Sequence, residues 1–135
     1  MIGLVLVAHA HLAAELLTAA ELIVGPIPQA EALGIGPGDD GDTILKGITV
    51  ALKRLGGDGV IIMTDMFGGT PSNISLSFLG THPVEVLTGV NLPMMVKFPY
   101  ARQSMTLSEL AHHLQDCGQR NITIPGDMLK KSEKK

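Results

Sequence analysis

Apolar positions along this chain alternate between short unbroken runs and longer stretches with helical spacing. Residues 2–8, Ile-Gly-Leu-Val-Leu-Val-Ala, form a continuous apolar run with β-branched members. Such a run predicts a strand buried on both faces. Leu12, Leu16, Leu17, Ala20 and Ile23 then recur at helical spacing, which predicts a first helix through about residue 24, ended by Gly25-Pro26. Ala30–Ile35 reads as a poorer second strand, weakened by Gly34, Gly36 and Gly38. Asp39, Asp40 or Asp42 caps a helix whose inward stripe is Ile44, Ile48, Ala51, Leu52 and Leu55. After the turn Gly56-Gly57-Asp58-Gly59, residues 60–64 make a third strand, and Thr70-Pro71 opens a helix through about Leu79. Pro83–Thr88 is a fourth strand. Asn91 and Pro93 start a helix over roughly 92–100. Thr106 and Glu109, spaced as a capping box, open the last long helix. Ile122–Ile124 reads as a short final strand, and the lysine-rich residues 126–135 as a flexible tail.

Alternating strands and helices with short links predict a single-domain three-layer α/β sandwich with a mainly parallel open sheet. The 135 residues suit one domain with a real core, and 45% hydrophobic against 17% charged residues excludes a disordered polymer. A net charge of −3 and 3% aromatic content without Trp argue against nucleic-acid binding. The lone Cys117 suits a reducing cytosol and reads as a small half-buried helix residue, since reactive thiols need an electropositive niche. The apolar start lacks a basic leader, and no apolar stretch approaches the ~20 residues that span a bilayer. The expectation is a soluble cytoplasmic protein.

Chemistry concentrates where strands end. Ligands of open parallel sheets collect at the carboxyl ends of strands, where neighbouring strands lead their helices to opposite faces. His9 ends the first strand and Asp65 follows the third. A neutral imidazole attacks phosphoryl groups without first losing a proton, provided that one ring nitrogen is held as N–H. A carboxylate such as Asp65 supplies that hold. The run Asp65-Met66-Phe67-Gly68-Gly69-Thr70-Pro71-Ser72-Asn73 adds paired glycines that permit close approach. It also sets Thr70, Ser72 and Asn73 at a helix N-terminus, which suits an anion. The plainer account, a strand-end histidine and an ordinary strand–turn–helix link, explains either segment alone but not the pair. Capping a helix that Pro93 starts explains Asn91 unaided. A metal site from His9, His11, His112, His113 and Asp65 is disfavoured, because adjacent helical histidines point about 100° apart. The Gly34-x-Gly36-x-Gly38 spacing is not a dinucleotide fingerprint, and neither a Walker lysine nor a nucleophile elbow is present. No cofactor is called for.

The strand ending in His9, then Thr64-Asp65-Met66-Phe67-Gly68-Gly69-Thr70-Pro71-Ser72-Asn73, then Thr88-Gly89-Val90-Asn91-Leu92-Pro93-Met94, resembles the enzyme IIA domain of the mannose family of the bacterial sugar phosphotransferase system. The resemblance covers residues 1–125. It implies that His9 is transiently phosphorylated, that Asp65 is its partner, that Thr70 helps to hold the phosphoryl group and that the loop with Asn91 borders the active histidine as a possible contact; Gly69 and Ser72, beside Thr70, are the further phosphoryl-binding candidates. It further implies a phosphoryl donor, the phosphorylated histidine-containing phosphocarrier protein, and an enzyme IIB acceptor on a separate polypeptide. A homodimer is implied too, in which the C-terminal segment around Ile122–Ile124 crosses over as an antiparallel edge strand. Ala10, followed by His11, stands where the family often carries glycine. Two other functions share this chemistry: a regulator whose partner binding follows His9 phosphorylation, and the phosphocarrier subunit of a dihydroxyacetone kinase. The transported sugar is not encoded here, because specificity lies in the membrane subunits.

Overall fold

A computed structural model describes residues 1–55, 57–66, 68 and 70–133, with side chains through Lys130. Four strands form one sheet in the order β2-β1-β3-β4, where β1 is Gly3–His9, β2 Ala30–Ile35, β3 Val60–Thr64 and β4 Val84–Thr88. Every pairing is parallel, with Val7 opposite Leu33 on one side and Thr64 on the other. Strand periodicity splits the core into two. Leu4, Leu6, Ile61 and Met63 face α1 (Leu12–Val24), α4 (Leu92–Ala101) and α5 (Leu107–Arg120). Val5, Val7, Val60 and Ile62 face α2 (Gly41–Arg54) and α3 (Thr70–Leu76). This is the expected three-layer sandwich.

Helix ends follow the predicted chemistry closely. Asp40 caps α2 by accepting from the Thr43 N–H at 2.9 Å, and Ile44, Ile48, Ala51, Leu52 and Leu55 are all buried. Thr106 and Glu109 form both bonds of the capping box on α5. Cys117 is a buried α5 residue. Arg102, just past α4, is only 6% exposed and lies over the Phe98 ring. Its Nη1 donates to the Ile2 carbonyl at 3.0 Å and the Pro28 carbonyl at 2.8 Å. It thereby fastens the starts of β1 and β2, at the end of the sheet away from His9.

Four expectations are corrected. On α1 the buried positions are Ala13 and Ala20, whereas Leu12 and Ile23 are exposed; small residues there bring the helix close to the sheet. The third helix ends at Leu76, with Ser77–Leu79 in a tight turn whose N–H groups bond to carbonyls three residues back. Ile122–Ile124 is not a strand in this chain: the antiparallel edge strand is absent among the described residues, and Ile122 and Ile124 are 78% and 68% exposed. Asn121 closes α5 by donating to the Cys117 carbonyl, and residues 122–124 link it to α6 without pairing with a strand of the same chain. Residues 126–133 are not an unstructured tail either, because Pro125–Glu133 forms α6. Pro125 at its first position, Asp127 in its first turn and the helix formers Met128, Leu129 and Lys130 account for this.

Candidate functional site

β1 and β3 are neighbours in the sheet, but β1 leads into α1 on one face and β3 into α3 on the other. The crevice at their carboxyl ends is therefore the topological switch point of the fold. His9, the last residue of β1, and Asp65, the first past β3, meet there. His9 Nδ1 lies 2.7 Å from Asp65 Oδ2, and the same oxygen accepts the His9 backbone N–H at 3.0 Å. With the carboxylate as acceptor, Nδ1 carries the proton and Nε2 keeps its lone pair. The His9 side chain is 51% exposed and that of Asp65 12%. The carboxylate is thus sheltered while about half of the imidazole side chain is open to solvent.

Burial alone raises the Asp65 carboxyl, but the His9 backbone N–H, the ring hydrogen bond and the ring's charge outweigh it and hold the group below its ordinary value. Asp65 is a carboxylate throughout the neutral range. Its other oxygen, Oδ1, is buried and has no hydrogen-bond partner among the described residues, as do Thr64 Oγ1 and Ser72 Oγ.

The loops around this pair are set by backbone geometry. Ala10 takes a left-handed conformation, φ +53°, and its N–H bonds the Ile35 carbonyl at 2.8 Å. That turn, which glycine makes without a Cβ penalty, brings the Ala10 carbonyl against β2. A Cβ on Gly34 would sit 2.4 Å from that oxygen. The Thr64 carbonyl accepts both Gly89 N–H and Val90 N–H at 3.0 Å, which holds the β4–α4 link beside Asp65. Asn73 Nδ2 reaches the Gly68 carbonyl at 3.5 Å, where Gly68 has φ +84°.

The other predicted residues separate clearly. Thr70 opens α3 and is exposed, Ser72 is fully buried in its first turn, and Gly69 lies outside the described residues. Asn91 engages both ends of its amide at helix ends. Its Oδ1 accepts from the Met94 N–H at 3.2 Å and its Nδ2 donates to the Gly118 carbonyl at 3.0 Å, so it caps α4 and ties it to α5. His112 Nδ1 bonds the Ser108 carbonyl, and His82 pairs with Thr81. Among the described residues no group of three His, Cys, Asp or Glu side chains is placed to hold a metal. Gly34 was the residue whose role the sequence pattern concealed. Glycine inside a strand signals close backbone approach, but which backbone approaches it depends on the loop from a different strand.

A family model described as PTS system fructose IIA component, EIIA-man, matches residues 3–115. The chain belongs to the EIIA-man family. The sorbose-specific EIIA component of Lacticaseibacillus casei is 30% identical over 112 residues, 82% of this chain and 81% of that protein. The mannose-specific EIIAB component of Escherichia coli K12 is 31% identical over 103 residues, which are 75% of this chain and 32% of that longer protein. Among solved structures, the mannose/sorbose-specific IIA subunit from Enterococcus faecalis superposes with a TM-score of 0.82 at 29% identity, covering 91% of this chain and 93% of that one. The single-domain α/β sandwich is therefore an EIIA-man fold. No described helix is long and apolar enough to cross a membrane.

Proposed function

We propose that this EIIA-man domain is a cytoplasmic phosphocarrier in sugar uptake, and that His9 Nε2 carries the phosphoryl group. The single observation behind this reading is the bidentate hold of Asp65 Oδ2 on His9, through the ring at 2.7 Å and the backbone N–H at 3.0 Å. It fixes one tautomer on a side chain that is about half open to solvent. In the transfer, the Nε2 lone pair forms the new N–P bond as the N–P bond to the donor's histidine breaks. The departing electron pair returns to the donor ring. The His9 ring gains positive charge, which Asp65 offsets, while the Nδ1 proton stays in place. The second transfer reverses these roles toward an enzyme IIB partner. Little covalent work falls to the protein beyond positioning and charge stabilisation.

The phosphoryl oxygens meet a favourable surface. His11 occupies the N-cap of α1 without making a side-chain cap bond, so the first-turn N–H groups of that 13-residue helix are open beside His9. Thr70, Ser72 and Gly69 are the further proposed phosphoryl contacts. Names of relatives as sorbose- and mannose-specific EIIA or EIIAB components support a donor in the phosphorylated phosphocarrier protein and an acceptor in enzyme IIB. Homodimerisation is part of the same reading. The exposed Ile122 and Ile124 and the outer edge of β4 would complete each other between two copies, covering an open sheet edge. Removing residues 120–135 should then abolish the dimer in light scattering, whereas a full-length monomer at micromolar concentration would defeat this part. The carrier role itself is tested with labelled phosphoenolpyruvate, the general transport proteins and a panel of IIB proteins. Label must reach His9 and leave it for an IIB partner; a stable phosphoprotein that passes label to none would point to a regulator.

A further inference from the structure

We propose that Arg102 and the cavity it lines bind a small carboxylate or phosphate anion, at the end of the sheet opposite His9. The Arg102 side chain is a buried cation, 6% exposed, and burial pulls its guanidinium below its ordinary basicity. A buried charge normally has a partner of opposite sign. Among the described residues no carboxylate pairs with Arg102. Nη1 donates to the Ile2 and Pro28 carbonyls, and the guanidinium carbon lies 4.9 Å from the centre of the Phe98 ring. Nε is buried and has no acceptor, and Nη2 makes no hydrogen bond among the described residues. Nε and Nη2 form one edge of a planar cation, the fork that carboxylate and phosphate oxygens match in pairs. A buried donor without an acceptor in a native fold calls for a water or an ion. A water would satisfy the Nε–H but not the charge; an anion satisfies both.

The cavity beside Arg102 has a volume of about 460 Å³, within the range of small-molecule sites. Ile2, Asp58, Gln103, Met105 and Leu107 line it together with Arg102. The fold explains this gathering. Ile2 leads into β1, Asp58 stands in the turn before β3, and residues 103–107 carry the chain from α4 into α5. Asp58 is the one carboxylate among the lining residues, and it accepts a hydrogen bond from the Met1 amino group instead of from Arg102. Glu109, in the first turn of α5, is taken up by the Thr106 N–H. Neither acid therefore neutralises the guanidinium. On the other side, Ile2, Met105 and Leu107 give the cavity an apolar wall that suits the carbon body of an organic anion. The seven residues of β1 separate this cavity from His9, a span of about 20 Å. It is a second site, and it does not depend on the role of His9.

The test titrates the full chain with acetate and with inorganic phosphate at constant ionic strength, with chloride as the control. Proton–nitrogen NMR follows the Arg102 Nε–H and the backbone N–H groups. Saturable shifts are expected at Arg102 Nε and at Ile2, Asp58 and Leu107, and the tighter probe shows which headgroup the site prefers. Arg102→Met should abolish them, but it also strands two carbonyls. The deciding variants are therefore at Gln103, which is exposed and lines the same cavity. Gln103→Lys should tighten binding and Gln103→Glu should weaken it, each by about two- to fivefold, as expected for one exposed charge pair. No saturable shift at Arg102 with either probe, equal shifts with chloride, or shifts confined to residues 9–11 and 65–73 would overturn the site. So would one affinity shared by the wild type and both Gln103 variants.

Discussion

Replacing Asp65 separates its two jobs, because Asn retains an oxygen acceptor for Nδ1–H while removing the charge. Phosphoryl acceptance by Nε2 builds positive charge on a ring whose Nδ1 is 2.7 Å from the carboxylate oxygen. Unit charges at that 2.7 Å separation interact by about 1.5 kcal/mol in a water-like dielectric and about 6 kcal/mol at an effective dielectric of ~20. The half-exposed ring lies toward the lower end, and a loose transition state develops only part of the charge. A loss of about 1.4–2.7 kcal/mol follows, or ten- to a hundredfold in rate. Asp65→Asn should show the lower part of that loss with the ring tautomer unchanged. Asp65→Ala should show at least the upper part and release the tautomer, since both hydrogen bonds to His9 go. Because Asp65 is held ionised by His9, the deficit should persist from pH 6 to pH 8. The assay is single-turnover transfer to His9 at saturating donor, paired with nitrogen NMR of the ring. Wild-type rates and tautomer in both variants would reduce Asp65 to a turn residue and refute the argument.

Gly34→Ala should force the Ala10 carbonyl off β2, costing about 1–3 kcal/mol of stability and slowing transfer; a chemical-denaturation midpoint equal to wild type would contradict it. Ala10→Gly relieves the left-handed backbone and should be neutral to about 1 kcal/mol stabilising, which a clear fall in midpoint would refute. Arg102→Met strands the Ile2 and Pro28 carbonyls and should cost about 2–4 kcal/mol in thermal unfolding while leaving the His9 ring tautomer as it is. The carboxyls of Asp40, Asp65 and Glu109 are all held below their ordinary values by hydrogen bonds from Thr43, His9 and Thr106, in the case of Asp65 against its burial. For such groups the unfolded chain binds more protons on acidification, so their stabilisation is full above about pH 5 and is lost as pH falls through about 4 and below. Asp40→Asn/Glu109→Gln should flatten that acid limb, and an unchanged slope would count against it.

Most of this fold is written in local pattern. β1, α2 and α5 are legible because strand runs, the α2 stripe and the caps Asp40 and Thr106 all act within a few residues of one another. His9 and Asp65 stand out for a similar reason, since each marks the end of a strong apolar strand. The rest depends on distant partners. Gly34 matters because a loop from β1 lands on it, and Arg102 because two strand starts 74 and 100 residues earlier supply its acceptors. At the C-terminus the β-branched Ile122-Thr123-Ile124 has strand propensity but no strand beside it in this chain. Tertiary context overrides such a preference. The helix that follows was masked by its lysines, which are good helix formers as well as marks of a solvated tail.

The central claim is that His9 accepts phosphoryl on Nε2 while Asp65 keeps the proton on Nδ1. Nitrogen-labelled protein, phosphorylated and observed by two-dimensional proton–nitrogen NMR, tests it most directly. The account predicts phosphorus coupling on His9 Nε2, a protonated Nδ1 and complete loss of the signal in His9→Ala. Phosphorus on Nδ1, or label that survives in His9→Ala, would contradict it.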